Sequence, residues 1–462
     1  MERKNAWQRY DQPELAALEK LSQDYRAFLD GGKTERECAS LAVVAAKQAG
    51  YRPLADFVQA GQPLKAGDKI YLSVMDKAVA LFNIGSRPLA EGLNILGAHI
   101  DSPRLDIKQN PLYEEGGQAY LDTHYYGGIK KYQWVAMPLA IHGVVAKKDG
   151  SLVNVVIGED EADPAFCVTD LLIHLSKEQL EKKANKVVEG EDLDLLVGSR
   201  PLKDQDKDGV AAHVRQILKE QYGIEEEDFF SAEWELVPAG KAREAGFDRS
   251  MILAYGQDDR VCAFTSLWAM LDADQVARTA CCLLVDKEEV GSVGATGARA
   301  LFFENAVAEL LALSGDSSLL TLRRCLAASR MLSSDVSAAF DPLYAASFEK
   351  KNAAFLGQGL VFNKYTGSGG KSGSSDANAE YLGFLRRVLE AAGVCYQSAE
   401  LGKVDVGGGG TIAYVLALYG MDVVDSGVAV LSMHAPWEIA SKADIYEAWK
   451  GYKAFLESVD QP

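Results

Sequence analysis

The chain has 462 residues, more than one ordinary domain holds, and 48% of them are hydrophobic, enough for a large buried core. Its formal charge of −18 argues against nucleic acid and anionic membrane surfaces as partners. The N-terminus, Met1-Glu2-Arg3-Lys4, lacks an apolar signal core, and no run approaches the roughly 18–20 apolar residues of a bilayer span. The seven cysteines, Cys38, Cys167, Cys262, Cys281, Cys282, Cys325 and Cys395, are odd in number, scattered and without a CxxC pair. That is reduced, intracellular usage, and the expected location is the cytoplasm.

In chain order, Pro13 to Ala49 carries apolar residues at helical spacing, broken by Gly31-Gly32. Short strands are expected near Lys69–Leu72 and Leu93–Ala98. From about Leu105 the texture changes. Alternation in Leu139–Val145 and Leu152–Ile157 predicts antiparallel β structure. A charge-rich tract, Lys177 to Asp208, reads as solvated helix and loop. It ends in Asp204-Gln205-Asp206-Lys207-Asp208-Gly209, an acidic turn that lacks the closing Glu of a calcium loop. After Asp258 an α/β texture returns, with an apolar helical stretch at Val261–Leu271 and a buried strand at Ala280–Val285. Gly369-Gly370-Lys371-Ser372-Gly373 is not a phosphate-binding loop, because Tyr365 stands where the first Gly belongs. It reads as a flexible loop near the substrate.

The strand Ala280–Val285 runs into Asp286-Lys287-Glu288-Glu289-Val290-Gly291-Ser292. Adjacent carboxylates at a buried strand's end are costly unless a cation sits between them. One can ligate a divalent metal while the other moves protons. Only six histidines are present, and two of them, His99 and His434, stand where an apolar strand gives way to a loop. Asp335 has the same setting, and Asp258 precedes an apolar helix. Ligands of open α/β sheets bind at the carboxyl ends of strands, so these positions can converge. Two imidazoles and three carboxylates suit Zn, Co or Mn, and a shared carboxylate can bridge two ions. Asp101, on the same side of an extended chain as His99, can fix that ring's tautomer.

Taken together, His99-Ile100-Asp101-Ser102-Pro103, Tyr126-Gly127-Gly128, Leu172-Ile173-His174-Leu175, Asp258-Asp259, Asp286 to Ser292, Ser334-Asp335 and Ser432-Met433-His434 resemble the aspartyl aminopeptidases, nearly end to end. The resemblance implies a dinuclear-metal exopeptidase. In it, His99 and Asp335 hold one ion, Glu289 and His434 the other, and Asp258 bridges them. Glu288 is the general base and acid, Asp101 orients His99, and His174 reaches a neighbouring subunit's active site. A second reading of His174 makes it a core residue beside Leu171-Leu172-Ile173. The fold implied is an α/β metallopeptidase core with a mixed sheet flanked by helices, residues 1–104 and 250–462. A β-rich domain, 105–249, is inserted into it for assembly, to a dodecamer in the family.

The resemblance has departures. Asp259 stands where the family has Asn, and Ala338, Phe340 and Asp341 replace its His-Ala-Val-His-Pro pattern. Both bear on the substrate pocket more than on the metals. The substrates implied are peptides with N-terminal Asp or Glu, bound through Lys364 and Lys371, with Lys130 and Lys131 as further cations. A broad or neutral aminopeptidase, a dinuclear amidohydrolase of small acylated metabolites, and an acidic scaffold with structural metals are the alternatives.

Overall fold

A computed structural model describes residues 5–205 and 207–459. Met1 to Lys4, the polar start noted above, and Asp206 of the acidic turn lie outside the described residues. The chain divides into two compact units, one of residues 1–101, 242–433 and 438–462, the other of 102–241 and 434–437. Residues 242–249, assigned above to the insert, belong with the first unit, because Arg243–Ala245 forms an antiparallel hairpin with Met251–Ala254.

Among the described residues, the first unit holds a nine-stranded mixed sheet. Its centre consists of β1 (Leu93–His99), β2 (Thr279–Val285), β3 (Arg330–Ser333), β4 (Leu360–Asn363) and β5 (Asp422–Gly427), in the spatial order β2-β1-β3-β5-β4. The first four of that order are mutually parallel, whereas β4 runs antiparallel to β5. Both faces are covered. Along β2, Ala280, Cys282 and Leu284 enter one apolar cluster, and Cys281, Leu283 and Val285 enter the other. That two-sided burial is why the strand reads as an unbroken apolar run.

Helices cover the sheet for local reasons. Gln12–Gly31 starts at a capping box of Asp11 and Glu14, and Glu35–Gln48 at one of Thr34 and Glu37. The buried α1 (Gln257–Asp272) packs Phe264 against Tyr25, Phe28 and Trp268 and lies against α2 (Lys442–Leu456). A smaller five-stranded sheet places Met251–Ala254 beside Glu438–Ser441, with Ala254 opposite Glu438. No helix among the described residues is long and apolar enough to cross a membrane.

The second unit is a seven-stranded antiparallel sheet that includes Leu139–Ala146 and Leu152–Ile157. The charged tract expected to be helix and loop also contains a strand, Leu195–Gly198, which pairs with Gln118–Tyr126. Three apolar residues among acids carry too weak a period for this strand to stand out, and its partner lies far away in sequence.

Candidate metal centre

Four elements of the first unit deliver acidic or imidazole groups to one edge of the sheet. β1 and β2 end level, with His99 opposite Val285. The chain after β2 turns at once through Lys287, at φ +68, into a single 3-10 turn, Glu288–Val290. A non-glycine residue held in the left-handed region at a strand's end is the kind of strain that marks working sites. β3 ends at Ser333, opposite Gly97, so Asp335 follows two residues later near the level of His99. Gly427 closes β5, and a Cβ there would meet the Asp335 carbonyl oxygen at 1.8 Å. Only glycine lets that loop pass. At the head of α1, Asp258 and Asp259 have non-helical backbone angles and stand in a kink.

The His99 ring sits at the middle of this edge and is buried. Its Nδ1 lies 2.9 Å from the backbone carbonyl of Asp101. A carbonyl only accepts, so Nδ1 carries a proton, and in the neutral ring Nε2 is the nitrogen with a lone pair to give. Nε2 faces Asp258 Oδ1 at 3.3 Å and Glu288 Oε2 at 4.0 Å. Two sets of potential ligand atoms each lie within 4.8 Å of one another: His99, Asp258 and Glu289, and His99, Asp259 and Asp335. Four of the five ligands read from the sequence are therefore brought together, along with Asp259, which that reading treated only as a departure from the family.

Asp101 does more than orient His99. Its Oδ1 accepts the Glu288 N–H and its Oδ2 the Glu289 N–H, each at 3.2 Å. One buried carboxylate thus ties the β1 end to the turn that carries both glutamates. Asp286, also buried, fixes the root of that turn by accepting from the Lys287 N–H and the Thr296 hydroxyl, each at 2.7 Å.

Negative charge is crowded here. Burial raises the Asp335 carboxyl well above the ordinary range, and the nearby Asp259 adds to it while His99 opposes. Asp259 is raised by burial as well, with Asp258 adding. Burial disfavours a charged His99, yet the Asp101 and Asp258 carboxyls hold its pKa well above that of free imidazole. The cluster favours any positive charge placed within it.

The remaining candidates lie elsewhere. His434 belongs to the second unit, where its Nδ1 donates to the Gly128 carbonyl at 2.8 Å, which leaves Nε2 as the lone-pair nitrogen, as in His99. His174 is exposed on the 3-10 turn Ile173–Leu175. Leu171, Leu172, Ile173 and Leu175 around it are 46–69% exposed, so the core reading of this segment does not hold. Lys371 is engaged with Asp376 at 2.9 Å and lies over the Tyr365 ring at 3.7 Å. Lys364 is exposed just beyond β4 and has no ion pair among the described residues. Removing the Asp101 carboxylate by Asp101→Ala would leave two N–H groups without their acceptor, a penalty of about 1–3 kcal/mol for each. Amide exchange at Glu288 and Glu289 should accelerate about tenfold or more, while core strand amides stay protected. Unchanged protection of those two amides would contradict the clamp.

Known proteins resemble this chain over nearly its whole length. The family model described as aminopeptidase I zinc metalloprotease (M18) matches residues 28–456. A probable M18 family aminopeptidase 1 of Clostridium acetobutylicum is 59% identical over 458 residues, 99% of this chain and 98% of the relative. The crystal structure of an M18 family aminopeptidase from Thermotoga maritima superposes with a TM-score of 0.95 at 45% identity, covering 99% of this chain and 100% of the other. At 19% identity, the S. cerevesiae mApe1 dodecamer shares the fold, with a TM-score of 0.75 over 94% of this chain and 95% of that one. The chain belongs to the aminopeptidase I zinc metalloprotease family, M18, and is a metalloaminopeptidase.

Proposed function

We propose that the chain removes N-terminal residues from peptides at a dinuclear centre held by His99, Asp258, Glu289, Asp335 and His434, with zinc as the metal. The observation that carries this reading is the orientation of His99, whose proton is fixed on Nδ1 by the Asp101 carbonyl and whose Nε2 faces a knot of carboxylates. The donors are imidazole nitrogen and carboxylate oxygen without thiolate, a set that suits zinc, cobalt or manganese. Asp258 is the shared ligand in this proposal, and His434 is the fifth donor on family resemblance and on its own fixed tautomer. Ions bound there would lower the pKa of a water and polarise the scissile carbonyl.

The chain's own residues supply the rest. Glu288 is held by its backbone N–H on Asp101. In the proposal it takes a proton from the attacking water and delivers it to the leaving amine. Glu289, next to it and fixed by the same carboxylate, serves as ligand.

Three finer readings follow. The exposed apolar residues around His174 support homo-oligomer formation through the second unit, with His174 serving a neighbouring site. Twelve copies is the family's number, and light scattering that finds a fully active monomer would remove the reading. No disulfide joins the cysteines among the described residues, which supports a reducing, cytoplasmic setting. Secretion of the active protein would argue against it. Lys364 supports a preference for N-terminal Asp or Glu, with Lys371 less available because Asp376 already holds it.

Glu288→Gln should keep its metal and lose about 10²–10⁴-fold in turnover. Glu289→Gln should lose metal occupancy as well. Metal analysis that finds the reverse would exchange the two roles. For specificity, a panel of aminoacyl substrates at fixed ionic strength should rank Asp and Glu above Leu and Met in kcat/KM, and Lys364→Ala should flatten the ranking. A preference for Leu or Met, or an unchanged ranking in the variant, would sink the acidic preference.

A further inference from the structure

The turn that presents Asp258 is held by groups outside the metal-ligand set. Gly256 sits at φ +65, and a Cβ on it would fall 1.5 Å from Arg260 Nη2. The space left by glycine is filled by the Arg260 guanidinium, which is fully buried. It donates to the Gly256 carbonyl at 2.9 Å, to the Tyr255 carbonyl at 3.1 Å and to the Gly32 carbonyl. Gln257, also fully buried, donates through Nε2 to the carbonyls of Ile252 at 3.1 Å and Glu438 at 2.7 Å. The Tyr25 hydroxyl donates to its Oε1 at 3.3 Å.

The last support is the least expected. Glu438, 1% exposed at the start of a strand, accepts the Asp258 backbone N–H on Oε2 at 3.0 Å. A buried carboxylate beside an acid-rich cluster is costly unless hydrogen bonds compensate it. Here it fixes the plane of the peptide that enters Asp258. Its own carbonyl is tied by Gln257, and its strand is registered on Met251–Ala254, so both ends of the residue are anchored to the same turn.

We propose that Glu438 is a positioning residue for the metal centre, setting the direction of the Asp258 carboxylate through the hydrogen bond it accepts from the Asp258 backbone N–H, with Arg260 and Gln257 as the frame. The proposal rests on the reading that Asp258 holds metal. It predicts that the centre is shaped before metal arrives, since every contact named is between protein groups. Groups that orient metal ligands commonly change affinity by about 10–100-fold when removed.

The test uses the full-length enzyme, stripped of metal and titrated with Co²⁺ against a competing chelator, with visible absorption as the readout. Glu438→Ala should bind Co²⁺ about 10–100-fold more weakly than wild type, with altered ligand-field bands. At saturating metal its kcat should fall while KM for the peptide stays close to wild type. Glu438→Gln keeps an acceptor oxygen but puts an amide NH2 in place of the other oxygen, and should bind only severalfold more weakly than wild type. Asp444→Ala is the control. Asp444 caps the Gly357 and Gly359 N–H groups on a different turn, so its loss should lower thermal stability without changing Co²⁺ affinity. If Glu438→Ala does not fold, the comparison passes to Glu438→Gln and Gln257→Met, both expected to weaken binding severalfold. Wild-type affinity and spectra in the folded Glu438 variants would overturn the proposal. So would an equal loss of affinity in the Asp444 control, since that would report general loosening. A wild-type protein that binds no Co²⁺ at all would instead overturn the reading of the site as a metal centre.

Discussion

Asp101, Asp258, Asp259 and Glu288 all press on one buried imidazole, His99, with Asp335 close behind. Like charges crowded in a low-dielectric pocket repel strongly, and a protein tolerates the arrangement only where it is compensated. Much of the surrounding architecture can be understood as holding this knot together. Asp101 spends its carboxylate on two backbone N–H groups, Asp259 accepts the His99 N–H, and Glu438 accepts the Asp258 N–H. The Asp101 and Asp259 carboxylates are thereby directed by the backbone, and the Asp258 backbone is itself held in place.

The sheet makes that concentration possible. Parallel strands β2, β1, β3 and β5 all end at one edge, and their registers put Val285 level with His99 and Ser333 level with Gly97. Apolar clusters on both faces bury the strands to their ends, so the loops leave from a rigid platform. If these groups hold metal as proposed, such fixed geometry would favour catalysis, because the donors need not reorganise when a charged transition state forms.

Local signals in the sequence were legible where the physics is local. The N-terminal helices were legible from apolar spacing and the Gly31-Gly32 break, and the structure adds the capping boxes of Asp11 with Glu14 and Thr34 with Glu37 that start them. The strand Ala280–Val285 and the glutamates after it were visible from apolar length and charge alone, as was the siting of His99 at a strand end. Ligand roles came from a resemblance spanning the chain, and four of those five ligands do lie together. What escaped was carried by contacts between distant segments. Asp101 meets Glu288 across 187 residues and Glu438 meets Asp258 across 180, separations at which no period or spacing leaves a trace. The strand Leu195–Gly198 was hidden by its acidic surroundings. The exposure of Leu171, Leu172 and Ile173 runs against their composition, which by itself suggests a core.

The central claim is that this edge of the sheet holds two ions with Asp258 between them. Anomalous diffraction from crystals grown with zinc tests it most directly. The account predicts two peaks per chain, roughly 3.5–4 Å apart as in other two-metal sites. Asp258 should be bonded to both, His99 Nε2 to one, and the Glu288 carboxylate to neither. A single peak, or zinc bound through Glu288 with Asp258 turned away, would contradict it.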